Sequence, residues 1–571
     1  MKRISDFSIA LGELLIKQEH LELATLFFKQ AVNITEAIRK DIQELPQELQ
    51  QSYARKVSDL YRRLADLLLQ QDRVLEAQQV LDLLKVQELD DYLQNVRGHD
   101  RPTQPLDYWQ PEQRILDLYN QAIVEGQELI QLREIPPGDR TPAQQQRLAE
   151  LVANQQNLVQ SFDEFLDRPE VTEAIDRLSR TARRQNLDLE QLNALQDNLR
   201  NLENAVLLYP LILDDRLELV LVTPYSPPIR RTANVTREEL NRAIAQFRSK
   251  LTNPNSDPLA EAQQLYQWLI QPIENDLRQA NAETILYAPD AQLRYIPLAA
   301  LHDGEEWSIE RFRINYITAA SLTDFETPPH EVIKVLAGAF SKGSVSFQVG
   351  TRQFSFHGLP FAGVEVNNIA AEIPGTTILL DLEFSPQATI PYMDDHTVVH
   401  LATHAEFVSG FPDESFILFG NGDRVTLRDL STWSLPNVDL MVLSACETAV
   451  GGELGNGEEI LGFGYQVQRT GARGAIASLW SVDDGGTQAL MNEFYGVLQE
   501  GTTKAEALRT AQIALITGDS TPTEEQRGAI EIVPILESVP SEASDSPKET
   551  RHEHLTHPYY WAPFILIGNG L

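Results

Sequence analysis

Between about residues 5 and 205, apolar positions recur three and four residues apart in a background of leucine, glutamine, glutamate and arginine, with few β-branched runs. That spacing predicts helices along the whole N-terminal part of the chain. Two sets of positions inside it share the same offsets, Leu11-Gly12, Leu15, Ala24, Phe28 and Ala31, then Leu64-Ala65, Leu68, Ala77, Leu81 and Leu84. The segment EIPPGDRTP, Glu134 to Pro142, holds the proline and glycine that stop a helix, and Gln-rich helical patterns resume after it.

Small residues at the repeated positions let two antiparallel helices pack closely, which is the tetratricopeptide pattern. The copies lie 53 residues apart, whereas that repeat has a period of about 34. Elongated helices or an imperfect array are therefore expected, with an ordinary bundle of coincidental alanines as the alternative.

At LLYPLILDDRLELVLVTP the period shortens to that of strands, and Asp214-Asp215 marks the turn of a hairpin. Apolar runs then alternate with helical patterns such as LAEAQQLYQWLIQPIENDL: TILYAP, FRINYI, VIKVLAGAF, HTVVHLAT, DLMVLSAC, GARGAIASLW and PFILIGNG. Continuous apolar strands separated by amphipathic helices predict an α/β domain with a mostly parallel sheet covered on both faces. Thr517 to His554 is rich in Ser, Pro, Glu and Asp, and is expected to be a flexible acidic insert ahead of the last strand.

Composition narrows the function. A length of 571 residues implies two to four domains. No apolar run approaches the roughly 18 residues needed to cross a bilayer, so a soluble cytoplasmic protein is expected. The net charge of −36 argues against nucleic acid or an anionic membrane as the main partner and slightly favours basic peptides. Cys446 is the single cysteine, which excludes an intrachain disulfide and a thiolate metal site. No cofactor or metal is expected, since His552, His554 and His557 lie in or beside the acidic insert.

In open parallel sheets, reactive groups gather beyond the carboxyl ends of the strands. HTVVHLAT ends at His404 and DLMVLSAC ends at Cys446. If the two are neighbouring parallel strands, imidazole and sulfur face each other at roughly 3 to 4 Å, giving a thiolate nucleophile with a general base and acid beside it. The backbone N–H groups of Ala405 and Cys446 are the expected oxyanion donors. Taken singly, each residue has a blander reading, with the cysteine as apolar filler and the histidine as a satisfied rim residue. His400 competes for the histidine role, but its place within the strand suits packing better. The Gly-rich stretch GGELGNGEE, Gly451 to Glu459, lacks the lysine of a phosphate-binding loop, so no nucleotide site is read there.

The stretches APDAQLRYIPLAALHDG, LPFAGVEV, HLATHAEF, LSACET, GARGAIASLWSVDD and HPYYWAPFILIGNG, in this order over about residues 206 to 571, resemble the CHAT family, caspase-like proteases associated with tetratricopeptide repeats. The resemblance implies a caspase, gingipain and separase type of α/β fold with His404 as general base or acid and Cys446 as nucleophile. Where the family pattern usually has glycine after the histidine, this chain has Ala405, whose N–H is retained. It also implies that Ser444 and the segment Ser478 to Asp484 shape the pocket for the side chain before the cut, with Asp483 or Asp484 holding a lysine or arginine. Capping of the following helix is the competing role for these aspartates.

The expected organisation is thus tetratricopeptide-like repeats over 1–100, a helical spacer over 101–205, an N-terminal, pseudo-caspase-like part over 206–330 and a caspase-like catalytic part over 331–571 that contains the acidic insert near 517–554. The leading functional reading is a cysteine endopeptidase whose repeats recruit a protein substrate or regulator. The alternative is a scaffold that binds peptides or regulators without cutting them. The insert would either cover the rim as an inhibitory lid or be an inert loop.

Overall fold

The computed structural model describes residues 2–42, 47–92, 106–136, 139–159, 169, 189–202, 204–349, 352–408, 413–444, 457–481, 484–518 and 555–571. The acidic insert falls almost wholly outside them. The chain is an N-terminal helical region followed by an α/β domain with a large, mostly parallel sheet. It divides into two compact units, one of Met1–Val80 with Asp100–Leu189, the other of Leu81–His99 with Glu190–Leu571.

The helical unit opens with α1 (Lys2–Lys17), α2 (Leu21–Ile42) and α3 (Gln47–Gln70), followed by α4 (Val74–Tyr92), which starts in this unit and ends in the other. The repeated apolar positions are all buried. The turns between helices repeat as well. Glu19 and Asp72 both adopt positive φ, 64° and 59°, and the N–H groups of His20 and Arg73 return to the carbonyls of Leu15 and Leu68, each at 2.9 Å. Glu19 and Asp72 are separated by the same 53 residues as the apolar sets, so the period is structural. Its excess over a common repeat lies in helix length, 22 residues in α2 and 24 in α3.

Charge is buried at the heart of this unit. Glu112, at the start of α5 (Gln110–Glu134), is fully enclosed and pairs with Lys29 at 2.9 Å and Arg73 at 2.8 Å, while also accepting from the N–H of Trp109 at 2.8 Å. Arg73 in turn stacks on Trp109, 3.8 Å from the ring centroid. Helices α6 (Pro142–Val159) and α7 (Leu189–Asn201) follow.

The second unit is built on eleven strands: β1 (Ala205–Ile212), β2 (Leu217–Val222), β3 (Ile229–Ala233), β4 (Thr284–Tyr287), β5 (Arg313–Tyr316), β6 (Val335–Ala339), β9 (Thr377–Leu380), β10 (Val398–Ala402), β14 (Leu440–Leu443), β15 (Gly474–Ser478) and β16 (Phe564–Gly568). Their order across the sheet is β3-β2-β1-β4-β5-β16-β15-β14-β10-β6-β9. Only β1–β2, β2–β3 and β15–β16 run antiparallel. The expected hairpin is β1–β2, turning at Asp214-Asp215. Strands β1, β6, β10, β14, β15 and β16 are buried along their whole length, which is why they read as unbroken apolar runs rather than alternating ones.

Two small sheets lie outside these expectations: the hairpin β7 (Ser344–Val349) with β8 (Arg352–His357), and β11 (Ala405–Glu406), β12 (Phe416–Leu418) and β13 (Arg424–Thr426). The same unit contains helices α8 (Pro360–Glu372), α9 (Glu458–Arg469), α10 (Asp484–Leu498) and α11 (Lys504–Thr517). No helix among the described residues is long and apolar enough to cross a membrane.

Burial alone pushes the Glu112 carboxyl up, but Lys29 and Arg73 outweigh it and hold its pKa below the ordinary 4.5. A depressed carboxylate contributes stability above its unfolded pKa and loses it as pH falls through the folded value. The contribution of Glu112 to the helical unit should therefore be lost only below pH 4.5, on the acid side of an ordinary glutamate. Glu112→Ala, which leaves Lys29 and Arg73 buried with less counter-charge, should cost about 3–5 kcal/mol in urea unfolding followed by helical circular dichroism.

Candidate active site

Strand β10 lies between β6 and β14, parallel to both. Val398 stands opposite Leu440 and Leu401 opposite Leu443, and the ladder continues past β14 with the N–H of Ser444 donating to Leu401 O at 3.1 Å. The strands expected to be neighbours are neighbours. Their register offset is 42 residues, the same number that separates His404 from Cys446 in the sequence.

Past the end of β10 the chain is fixed on both sides of His404. The Thr403 hydroxyl donates to Leu418 O at 2.6 Å, and the N–H of Leu418 donates to His404 O at 2.9 Å. That second bond makes His404 and Leu418 the hydrogen-bonded pair of an antiparallel ladder, and Ala405 and Ile417 the non-bonded pair beside it. The N–H of Ala405 is accordingly turned away from β12.

The His404 ring is half-buried. It packs against Phe356, 4.8 Å between centroids, and edge-on to Phe340 at 6.0 Å. Its Nε2 lies 2.7 Å from the carbonyl oxygen of His357. A carbonyl only accepts, so Nε2 carries the proton, and in the neutral ring the lone pair lies on Nδ1. His357 ends β8, and the next residue, Gly358, passes so close to Lys342 that a Cβ would stand 2.4 Å from its backbone nitrogen. The hairpin is pinned at the point where its carbonyl meets the imidazole.

Neither the hairpin nor His357 was among the sequence expectations. A backbone carbonyl has no residue signature, although the alternation of Val345, Phe347 and Val349 with Ser344, Ser346 and Gln348 is a period-two signal. Around the same histidine, Phe347, Phe354, Phe356 and Phe416 form an aromatic cluster, with the guanidinium of Arg424 4.1 Å from the Phe347 centroid. Glu406, buried two residues after His404, pairs with Arg352 on the hairpin at 3.2 Å.

Other expected residues fall differently. His400 is enclosed within the sheet, its Nε2 2.7 Å from Glu365 of α8 and its Nδ1 3.0 Å from the Tyr495 hydroxyl of α10. It is packed behind the rim, as its place in the strand suggested. Burial, with Glu365 beside it, pushes the Tyr495 phenol well above its usual pKa. Ser444 is buried at the end of β14. Cys446 and Asp483 lie outside the described residues. Helix α10 begins at Asp484, whose side chain is likewise outside them. Just before it, the Trp480 indole donates to Tyr559 O at 3.1 Å, tying this segment to the chain that leads into β16. Among the described residues no group of three or more His, Cys, Asp or Glu could hold a metal ion.

The CHAT domain family model matches residues 259–569, more than half of the chain, and the chain belongs to the CHAT-domain family. Among solved structures, the Arg-specific cysteine proteinase gingipain R is similar at 10% identity and TM-score 0.33, covering 58% of this chain and 74% of that one. Two structures of the Saccharomyces cerevisiae separase–securin complex are similar at 10% and 9% identity, with TM-scores of 0.37 and 0.35. They cover 96% and 99% of this chain, which spans 40% and 53% of theirs. No curated protein matches the chain.

At a pH where the ring is neutral, long-range proton–nitrogen spectra should show His404 as the Nε2–H tautomer, with His404→Gln identifying the resonance. A proton on Nδ1 would contradict the bond to His357.

Proposed function

We propose that the chain is a cysteine endopeptidase in which His404 and Cys446 form the catalytic pair. The observation that carries the reading is the rim geometry of β10: a histidine whose Nε2–H is held by a backbone carbonyl, on a strand paired with β14 at the offset that separates His404 from Cys446. The CHAT-domain family supports it.

In this reading Nδ1 of His404 takes the proton from the Cys446 thiol, and the thiolate attacks the carbonyl carbon of the scissile peptide. The charge that develops on the carbonyl oxygen is met by the N–H of Ala405, turned away from β12, and by that of Cys446. The imidazolium, still held through Nε2 by His357 O, then gives its proton to the leaving amine as the carbon–nitrogen bond breaks. Water, deprotonated by the same Nδ1, hydrolyses the thioester and regenerates the thiol. The Phe356 and Phe340 rings restrict the imidazole to the orientation both half-reactions need.

Ser444 and Asp483 or Asp484 are assigned to the pocket for the residue before the cut, where a carboxylate would hold a lysine or arginine. The repeated hairpins of the helical unit are assigned to recruiting a protein substrate or regulator, and the net charge of −36 favours a basic one.

Cys446→Ala should retain an uncut partner in a pull-down, and N-terminal sequencing of the fragments made by the unaltered chain should place a basic residue before the cut. Cys446→Ala and His404→Ala should each lower cleavage by about 10³-fold or more. Cleavage surviving in either variant would overturn the assignment.

A further inference from the structure

Strand β9 is an outer strand of the large sheet, and because β9, β6 and β10 run parallel it ends at the same rim as β10. The residue that follows it, Asp381, adopts φ +52°. Residues with a Cβ are uncommon in that left-handed region, and aspartate is one of the few that enter it, because its short carboxylate can bond nearby backbone. Here Oδ1 of Asp381 accepts three bonds from the turn that leaves β6: the N–H of Ser341 at 2.8 Å, the hydroxyl of Ser341 at 3.0 Å and the N–H of Lys342 at 2.8 Å.

Two routes lead from Asp381 to His404. On the first, Gly358 rests on the backbone of Ser341 and Lys342, and its N–H closes the base of the β7–β8 hairpin by donating to Gly343 O at 2.9 Å. The residue before Gly358 is His357, whose carbonyl accepts from His404 Nε2. On the second, Gly420, in the turn between β12 and β13, passes so close that a Cβ there would overlap the Asp381 carbonyl oxygen. Two residues before Gly420 stands Leu418, which clasps the backbone of His404 and the hydroxyl of Thr403. The 3-10 turn that Asp381 opens, Asp381–Glu383, reinforces this side: the carbonyl of the next residue, Phe384, accepts from Asn421 N–H at 3.2 Å, and its ring lies 4.7 Å from that of Phe419. The histidine is therefore held at its ring by one loop and at its backbone by another, and both loops rest on the residue that ends the outer strand.

We propose that Asp381 is a positioning residue for the reaction: by gathering the turn after β6 and the turn between β12 and β13, it keeps His357 O on Nε2 of His404 and leaves Nδ1 as the atom that takes the proton. The inference rests on the reading of His404 as the general base. It accounts for a feature that the edge of a sheet does not by itself require, an aspartate in a left-handed conformation with three donors on one carboxylate oxygen.

Asp381→Gly keeps the left-handed conformation without strain and removes the acceptor, whereas Asp381→Asn keeps an acceptor oxygen and tolerates the same φ. Ser385→Ala, in the same stretch, removes a helix-cap bond from Ala388 N–H at 3.2 Å that reaches neither turn. In the full-length protein at a pH where the ring is neutral, exchange with water of the His404 Nε2 proton and of the Gly358 amide, followed by NMR, reports opening of the hairpin base. Asp381→Gly should speed both by about 10-fold and Asp381→Asn by much less, while Ser385→Ala should lower the melting temperature and change neither. Because the chain has one cysteine, alkylation by iodoacetamide at neutral pH reads Cys446 alone, and Asp381→Gly should slow it several-fold, in the direction of His404→Ala. If Asp381→Gly fails to fold, Gly420→Ala, whose added Cβ presses on Asp381 from the other side, carries the test with the same changes expected. The proposal is overturned if Asp381→Gly, or Gly420→Ala in its place, exchanges these protons as the unaltered chain does, or if Ser385→Ala speeds them as much. It is equally overturned if that variant alkylates at the unaltered rate while His404→Ala is slowed. Alkylation of His404→Ala at the unaltered rate would instead remove the catalytic pair itself.

Discussion

The parallel pairing of β10 with β14 is the constraint on which the rest depends. Parallel neighbours bring equivalent ends of two strands to the same rim of the sheet, and a register shift of one residue would turn every side chain to the opposite face. Val398, Val399 and Leu401 on one strand, and Leu440 to Leu443 on the other, are fully or almost fully enclosed, so the register is held by the core on both faces. What leaves that rim is then set by chain length alone. His404 follows β10 by two residues, and its backbone is clasped at once by Thr403 and Leu418. A rigid scaffold thus hands a polar side chain to a loop edge without surrendering its position.

Polar groups inside the fold act as fasteners at points where apolar packing would leave orientation undetermined. The Tyr495 hydroxyl bonds the ring of His400 and Glu365 lies against its other edge, which brings helices α8 and α10 to the middle of β10. The charged face of α4 does the same at the other half of the sheet, through Asp82, Lys85 and Glu88. Removing one partner of such a contact leaves the other enclosed without it, so these contacts specify geometry more than they add stability. The same logic appears at Glu112 in the helical unit, where one carboxylate organises Lys29, Arg73 and the turn at Trp109.

Much of this architecture could be read from local pattern. The repeated positions from Leu11 and from Leu64 predicted a structural period, and the turns at Glu19 and Asp72 carry it. Continuous apolar runs identified seven strands of the large sheet, and Asp214-Asp215 its hairpin. The short strands of the hairpin ending at His357 escaped because they are polar and half-exposed, and their stability comes from aromatic contacts with Phe416 and His404 rather than from an apolar run. His357 acts through a carbonyl, which no residue type announces. The buried pairs Glu88–Arg294 and Lys85–Asp290 were hidden for a different reason: their partners lie more than 200 residues apart in the chain, and nothing in local spacing marks such a contact.

The proposed pairing makes His404 and Cys446 one chemical unit. Its most direct measurement is an experimental structure of the chain reacted with a peptide bearing an electrophilic carbonyl and a basic residue at its end. The pairing predicts a covalent bond from Cys446 Sγ to the carbonyl carbon, His404 Nδ1 at roughly 3 to 4 Å from that sulfur, and the Nε2 bond to His357 retained. An unmodified Cys446, or a His404 ring turned away from it in the reacted protein, would contradict the pairing.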